Sequence, residues 1–268
     1  MAKERVSDEV RSFVRQLHEL EQRVRDGTLD PVTVRQPLQD IITGKFTPTI
    51  QLPSWCVSLG YQLANVRRWN EERDWGFGEA DFPSEMPDFV SNSPLEVPVL
   101  SVYLPDKGEG PDKVPGYLRT ADELWQIARS LQPNWWQWSA LHLDAEHLRL
   151  LPGAEDAYAP GIRWTAVDLG ANWNKRDEIR PRDVRGSNSA NAEILAAAAH
   201  FPNWIQAMDG EKVPYAWLPG YQVTIPGDEA RVSVPVLYWS TSYRRVNLDA
   251  YWDAFRYWYF AVPVRREL

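Results

Sequence analysis

Fourteen tryptophans in a chain of 268 residues constrain the fold more than any other feature. Each brings a large rigid surface and one N–H donor that needs a partner once buried. Such a chain either builds an unusually aromatic core or turns its rings toward something flat and apolar. The length allows one large domain or two small ones around a sizeable core. With 44% hydrophobic and 25% charged residues the rest of the composition is ordinary for a globular protein.

The net charge of −8 speaks against nonspecific nucleic-acid binding, which needs clustered lysine and arginine. The longest basic groupings are Arg67-Arg68, Arg244-Arg245 and Arg265-Arg266, and each reads as solvated surface rather than an anion site. Cys56 is the only cysteine, which excludes an intrachain disulfide and a cysteine-based zinc site and fits a reducing compartment. The first nine residues are charged where a signal peptide needs an apolar stretch. The longest apolar run, Ile194–Ala199, is too short to span a bilayer. The expected protein is soluble and cytoplasmic, with no membrane partner.

Val6, Val10, Phe13, Leu17, Leu20 and Val24 draw one narrow apolar stripe, capped by Ser7 and ended by Gly27. It reads as a helix docked on the main domain or as a homodimer seam. Asp30-Pro31 marks a new helix start, and Gly44 ends a short helix over 38–43. A helix is expected over 54–73. Thr120 and Glu123 form a capping box, which predicts a helix over 120–131 with Leu124, Ile127 and Leu131 inward. An alanine-rich helix over 189–208 should break near Pro202. Strands are expected over 97–104, 141–151, 162–169, 215–225 and 231–239. Residues 248–258 fit either helical spacing or an aromatic strand. These elements predict an α+β fold: a helical N-terminal region, 1–75, and a mixed, mostly antiparallel sheet domain, 76–268.

No phosphate-binding glycine loop, nucleophile elbow or zinc-protease motif is present, so neither a catalytic residue nor a cofactor is assigned. His142 and His147 flank Asp144 and Glu146. A helix turns the two histidines about 140° apart and a strand points them to opposite faces, so no metal site is expected. Asp249 and Asp253 would share a helix face, with Arg256 in reach of Asp253. Asp168 ends a strand before a glycine turn, a place for either a functional carboxylate or a simple cap.

The aromatic groups are the better candidates. Trp135, Trp136 and Trp138 cannot all face one core. Tyr238, Trp239, Tyr243, Tyr251, Trp252, Tyr257, Trp258 and Tyr259 crowd one segment and mix with Ser240, Thr241, Ser242, Asn247 and Asp249. That composition is the composition of binding surfaces. It also suits an aromatic mini-core under long loops. The leading expectation is a noncatalytic binding protein with an aromatic-rich surface for a protein or glycan, contacted through Trp239, Tyr243, Tyr251 and Trp252. The alternative is a carboxylate-dependent hydrolase acting on a glycan.

Two resemblances add to this. The blocks Asp81-Phe-Pro, Pro87-Asp-Phe-Val-Ser-Asn, Arg119-Thr-Ala-Asp-Glu-Leu-Trp, Gly161-Ile-Arg-Trp, Asn191-Ala-Glu-Ile-Leu, Phe201-Pro-Asn-Trp, Met208-Asp-Gly, Val213-Pro, Gly220-Tyr-Gln and Pro263-Val-Arg-Arg-Glu resemble a family from candidate-phyla (Patescibacteria) bacteria with no assigned activity. Gly116–Arg129 is similar to a helix of the formylglycine-generating-enzyme family, and Phe260–Arg265 is similar to the closing strand of C-type-lectin-like folds. That resemblance implies a ligand-displaying scaffold. It does not carry the oxidase activity, because the family's cysteine arrangement cannot form from Cys56 alone.

Overall fold

In the computed structural model, Glu96–Tyr103 forms a strand, β1, that is buried along its whole length. It pairs antiparallel with β4, Gly161–Asp168, which pairs in turn with β10, Val264–Glu267. β1 is therefore an edge of this three-stranded sheet, and a buried edge must find partners for its outward backbone groups. Two side chains supply them. The Gln62 amide donates from Nε2 to Pro98 O at 3.0 Å and accepts the Leu100 N–H at Oε1, 2.9 Å. His200 Nε2 lies 3.1 Å from Leu100 O. Pro98, which has no N–H to offer, fits an edge strand.

Gln62 belongs to α1, Leu59–Arg73, and His200 ends α4, Ala192–His200. Ser58 caps α1 by accepting the Tyr61 N–H, so the helix starts later than the expected residue 54. Every residue of α4 is buried, and its alanines let it lie close to both β1 and α2, Gly116–Ser130. α5, Pro202–Ala207, follows after the expected break at Pro202. The short α3 spans Pro181–Val184. Gln62→Ala leaves the Leu100 N–H and Pro98 O without partners in the interior. It should lower unfolding free energy by about 2 kcal/mol, read from urea midpoints.

The second sheet is built on a hairpin, β7 (Ser233–Ser240) with β8 (Arg245–Trp252). β2, Trp135–Gln137, runs parallel to β8, and β5, Tyr215–Trp217, runs antiparallel to β7. β9, Phe260–Ala261, lies parallel to β5. β3, Leu148–Leu150, pairs with β6, Tyr221–Val223, which touches β7 at Ser233. The architecture is α+β, with mostly antiparallel sheets.

Three expectations need correction, and the alternative left open over 248–258 is decided for its first half. Thr120 does not cap α2, which begins at Gly116, where a Cβ would sit 2.0 Å from Leu104 O. The Thr120 hydroxyl is buried instead and accepts the Leu104 N–H at 2.8 Å. Residues 248–252 are strand, not helix, because β8 takes its register from β7. The expected strand over 215–225 is split in two, and the one over 141–151 is confined to 148–150.

The structure describes residues 18, 21–26, 39, 52–152, 154, 158–175, 180–186, 188–225, 227 and 231–268. The chain divides into two units, Met1–Thr49 and Ile50–Leu268, and α1 belongs to the second. In the first, residues 21–25 are helical and Val24 is half-buried. Val6, Val10, Phe13, Leu17, Leu20, Ser7, Gly27, Asp30-Pro31 and Gly44 lie outside the described residues, as does the short helix expected near 38–43 apart from Gln39. Among the described residues no helix is long and apolar enough to cross a membrane.

Candidate binding surface

Strand alternation sorts the C-terminal aromatic segment onto two faces. Leu237 and Trp239 on β7, with Val246 and Leu248 on β8, face the main core. Val234, Val236 and Tyr238, with Arg245, Asn247, Asp249 and Tyr251, face the other way. The register extends this outer face across the sheet. Trp136 on β2 pairs with Asn247, Trp217 on β5 with Val236, and Phe260 on β9 with Tyr215.

The rings form a connected layer. Tyr215 lies 5.3 Å from Tyr238 and 5.2 Å from Phe260, between ring centroids. Trp217 lies 5.2 Å from Phe260 and 6.2 Å from Tyr251. Tyr257, from the segment after β8, packs on Tyr251 at 5.1 Å. These spacings are those of favourable tilted and edge contacts. Trp217 and Phe260 are buried beneath the layer, whereas Tyr215, Tyr238, Tyr251 and Tyr257 keep part of their surface in solvent. Polar groups are set among them. Asp249 accepts from the Ala250 N–H at 2.8 Å and from the Tyr238 hydroxyl at 3.4 Å. Burial raises the Asp249 carboxyl above the usual carboxylate range. It also raises the Tyr215, Tyr238 and Tyr251 phenols. At the hairpin turn, the Arg245 guanidinium lies over Tyr243 at 4.6 Å and over Trp136 at 5.2 Å. Arg129 covers the exposed Trp135 in the same manner at 4.5 Å.

The four residues expected to bind do not share a face. Tyr251 lies on the outer face, and Tyr243 is 69% exposed in the turn. Trp239 packs on the main core. Trp252 shares Trp239's side of the sheet at the far end of β8, where Arg231 and Phe255 cover its ring. The sequence reading missed Tyr215, Trp217 and Arg245. Alternation along 234–240 and 245–251 would have found Arg245, and placing Tyr215 and Trp217 needed the pairing of β5 with β7.

Other expected groups resolve differently. Asp253 is bound by Arg185 at 2.6 Å and buried, so it is not the helix-face partner of Asp249. His142 and His147 do not diverge: a loop stacks their rings 4.6 Å apart, and His147 Nδ1 meets Asp144 Oδ1 at 2.8 Å. Among the described residues no group of three His, Cys, Asp or Glu side chains could hold a metal ion. Asp168 caps the turn after β4 by accepting the Gly170 N–H at 2.9 Å, and burial raises its pKa. It also lines a cavity of about 440 Å³ beside Trp173 and Asn172.

Of the pair Arg265-Arg266, only Arg266 is exposed as expected, and Arg265 is drawn inward. Arg265 is 9% exposed and meets Glu193 at 3.1 Å, and Arg266 meets the buried Glu96 at 2.8 Å. Glu193 also accepts from the Tyr103 hydroxyl and from the Asn191 N–H at 2.9 Å.

No protein-family model matches this chain, and neither does any curated protein or solved structure. The functional reading therefore rests on the site's own chemistry. Of the two stretches from which a lectin-like fold was expected, Gly116–Arg129 lies within α2. Phe260–Arg265 is divided between β9 and β10, in different sheets.

Proposed function

We propose that this is a noncatalytic binding protein and that the outer face of the β7–β8 sheet makes the contact. One observation carries the reading. A single sheet face combines partly exposed aromatic rings with an arginine and a carboxylate at strand spacing. Aromatic rings stack on the apolar faces of sugars or hold a partner's apolar side chains. The carboxylate of Asp249 supplies direction, and Arg245, held in place by the buried Asn247 amide at 3.0 Å, supplies charge. The partner is a glycan or a protein. The net charge of −8 disfavours nucleic acid. A cytoplasmic location is part of the proposal and accords with a lone cysteine. A ligand-displaying, lectin-like scaffold accords with it as well.

The test compares Trp136→Ala and Tyr238→Ala, both at partly exposed positions, with wild type on immobilised glycans and in pull-downs from the source cell. Each substitution should weaken retention at least about tenfold while leaving the melting temperature near wild type. Trp239→Ala, which faces the core, should lower the melting temperature instead. A partner retained equally by wild type and both outer-face variants defeats the proposal. The second reading, a glycan hydrolase, draws on the raised proton affinity of Asp249, which a general acid needs. Asp249→Asn that keeps glycan binding but abolishes a measured cleavage would favour it.

A further inference from the structure

The cavity of about 440 Å³ at the end of β4 is within the range of small-molecule sites. Pro94, Leu95 and Ala171 give it apolar wall, and Trp173 adds an aromatic ring. The Trp173 indole N–H is spent on Trp258 O at 3.3 Å, so what this ring offers the cavity is apolar surface.

Two charges of opposite sign stand among the described lining residues, Asp168 and Lys212. Asp168 is half-buried. Its backbone is paired on both sides, with Glu96 of β1 and Val264 of β10, so the surface it keeps in solvent belongs to its side chain. One carboxylate oxygen, Oδ1, accepts the Gly170 N–H at 2.9 Å. No cation meets this carboxylate among the described residues. Glu96, its cross-strand neighbour, is a second carboxylate and is already held by Arg266. Partial loss of water, and after it the Glu96 charge, raise the proton affinity of Asp168, as befits a carboxylate without a counter-ion. Lys212 is exposed on a turn fixed by Asp209, whose Oδ1 accepts the N–H groups of Glu211, Lys212 and Val213 at 2.9, 2.7 and 3.0 Å. Its ammonium likewise has no carboxylate partner among the described residues. A ligand that carries both charges answers both groups at once, and its apolar part then falls against the remaining wall.

We propose that this cavity binds a zwitterion, a free amino acid with a large apolar side chain, whose ammonium meets Asp168, whose carboxylate meets Lys212 and whose side chain lies against Trp173 and Leu95. The site uses none of the residues of the β7–β8 face, so the two readings can fail separately.

Calorimetry with phenylalanine tests the assignment. Phenethylamine and 3-phenylpropanoate, which each lack one of its charges, serve as comparison probes. Phenylalanine should bind with a dissociation constant below about 0.1 mM, and each single-charge probe about tenfold more weakly. Two variants assign the charges. Asp168→Asn keeps an oxygen for the Gly170 N–H, and Lys212→Gln changes an exposed side chain, so both should melt near the wild-type temperature. Asp168→Asn should weaken phenylalanine and phenethylamine about tenfold and leave 3-phenylpropanoate as it was. Lys212→Gln should weaken phenylalanine and 3-phenylpropanoate several-fold and leave phenethylamine as it was. Absence of phenylalanine binding at about 1 mM, equal affinity for either single-charge probe, or indifference of phenylalanine to either substitution each overturns the proposal.

Discussion

Glu193→Ala should lower the unfolding free energy by about 3–5 kcal/mol, the cost of stranding a buried charge. Arg265 is left almost wholly inside without its carboxylate, and Tyr103 and the Asn191 N–H lose an acceptor. Urea denaturation gives the number. A paired change, Glu193→Leu with Arg265→Met, removes both charges and should cost clearly less than the single substitution, because no lone ion remains. If Glu193→Ala costs under about 1 kcal/mol, the pair does not hold this part of the fold.

The second large effect is acid sensitivity centred on His200. Burial holds its folded pKa at about 4, below the ordinary imidazole value of 6.5. The unfolded chain therefore binds a proton that the folded chain refuses. The contribution is whole above pH 6.5 and is lost as the pH falls toward 4. Across that window the loss is about 3 kcal/mol, at 1.36 kcal/mol per pH unit. Asp168 and Asp249 work in the opposite sense, since burial raises their pKa values and folding gains as they protonate. The His200 share is isolated by measuring urea midpoints against pH for wild type and for His200→Gln. The variant should lack that part of the slope. Equal slopes would mean that His200 does not stay neutral in the folded protein.

The helices of the second unit were largely legible because apolar spacing is local. Leu124 and Ile127 fixed the inward face of α2, and Pro202 fixed the break after α4. Thr120 misled because its capping signature is local while its partner, Leu104, comes from another element. Gln62 and His200 gave no signal at all: the strand edge they complete lies 38 and 100 residues away. Arg265 looked like surface for the same reason. The tryptophans answered the opening alternative both ways. Trp69, Trp75, Trp125, Trp164, Trp204 and Trp217 are buried, whereas Trp135 and Trp258 are exposed. Composition alone could not divide them, because sheet register decides which side of a strand a ring takes.

The placement of β10 also sets an order of events in folding. Its Arg266 reaches Glu96 across 170 residues of sequence, so this closure carries a large loop entropy. Contacts so distant in sequence slow folding. Until β10 docks, Glu96 and Glu193 lack their arginines, and the β1–β4 pair lacks its third strand. Docking of β10 is thus expected to come late. Substitutions at Arg265 and Arg266 should speed unfolding more than they slow folding, which is the signature of contacts made after the transition state.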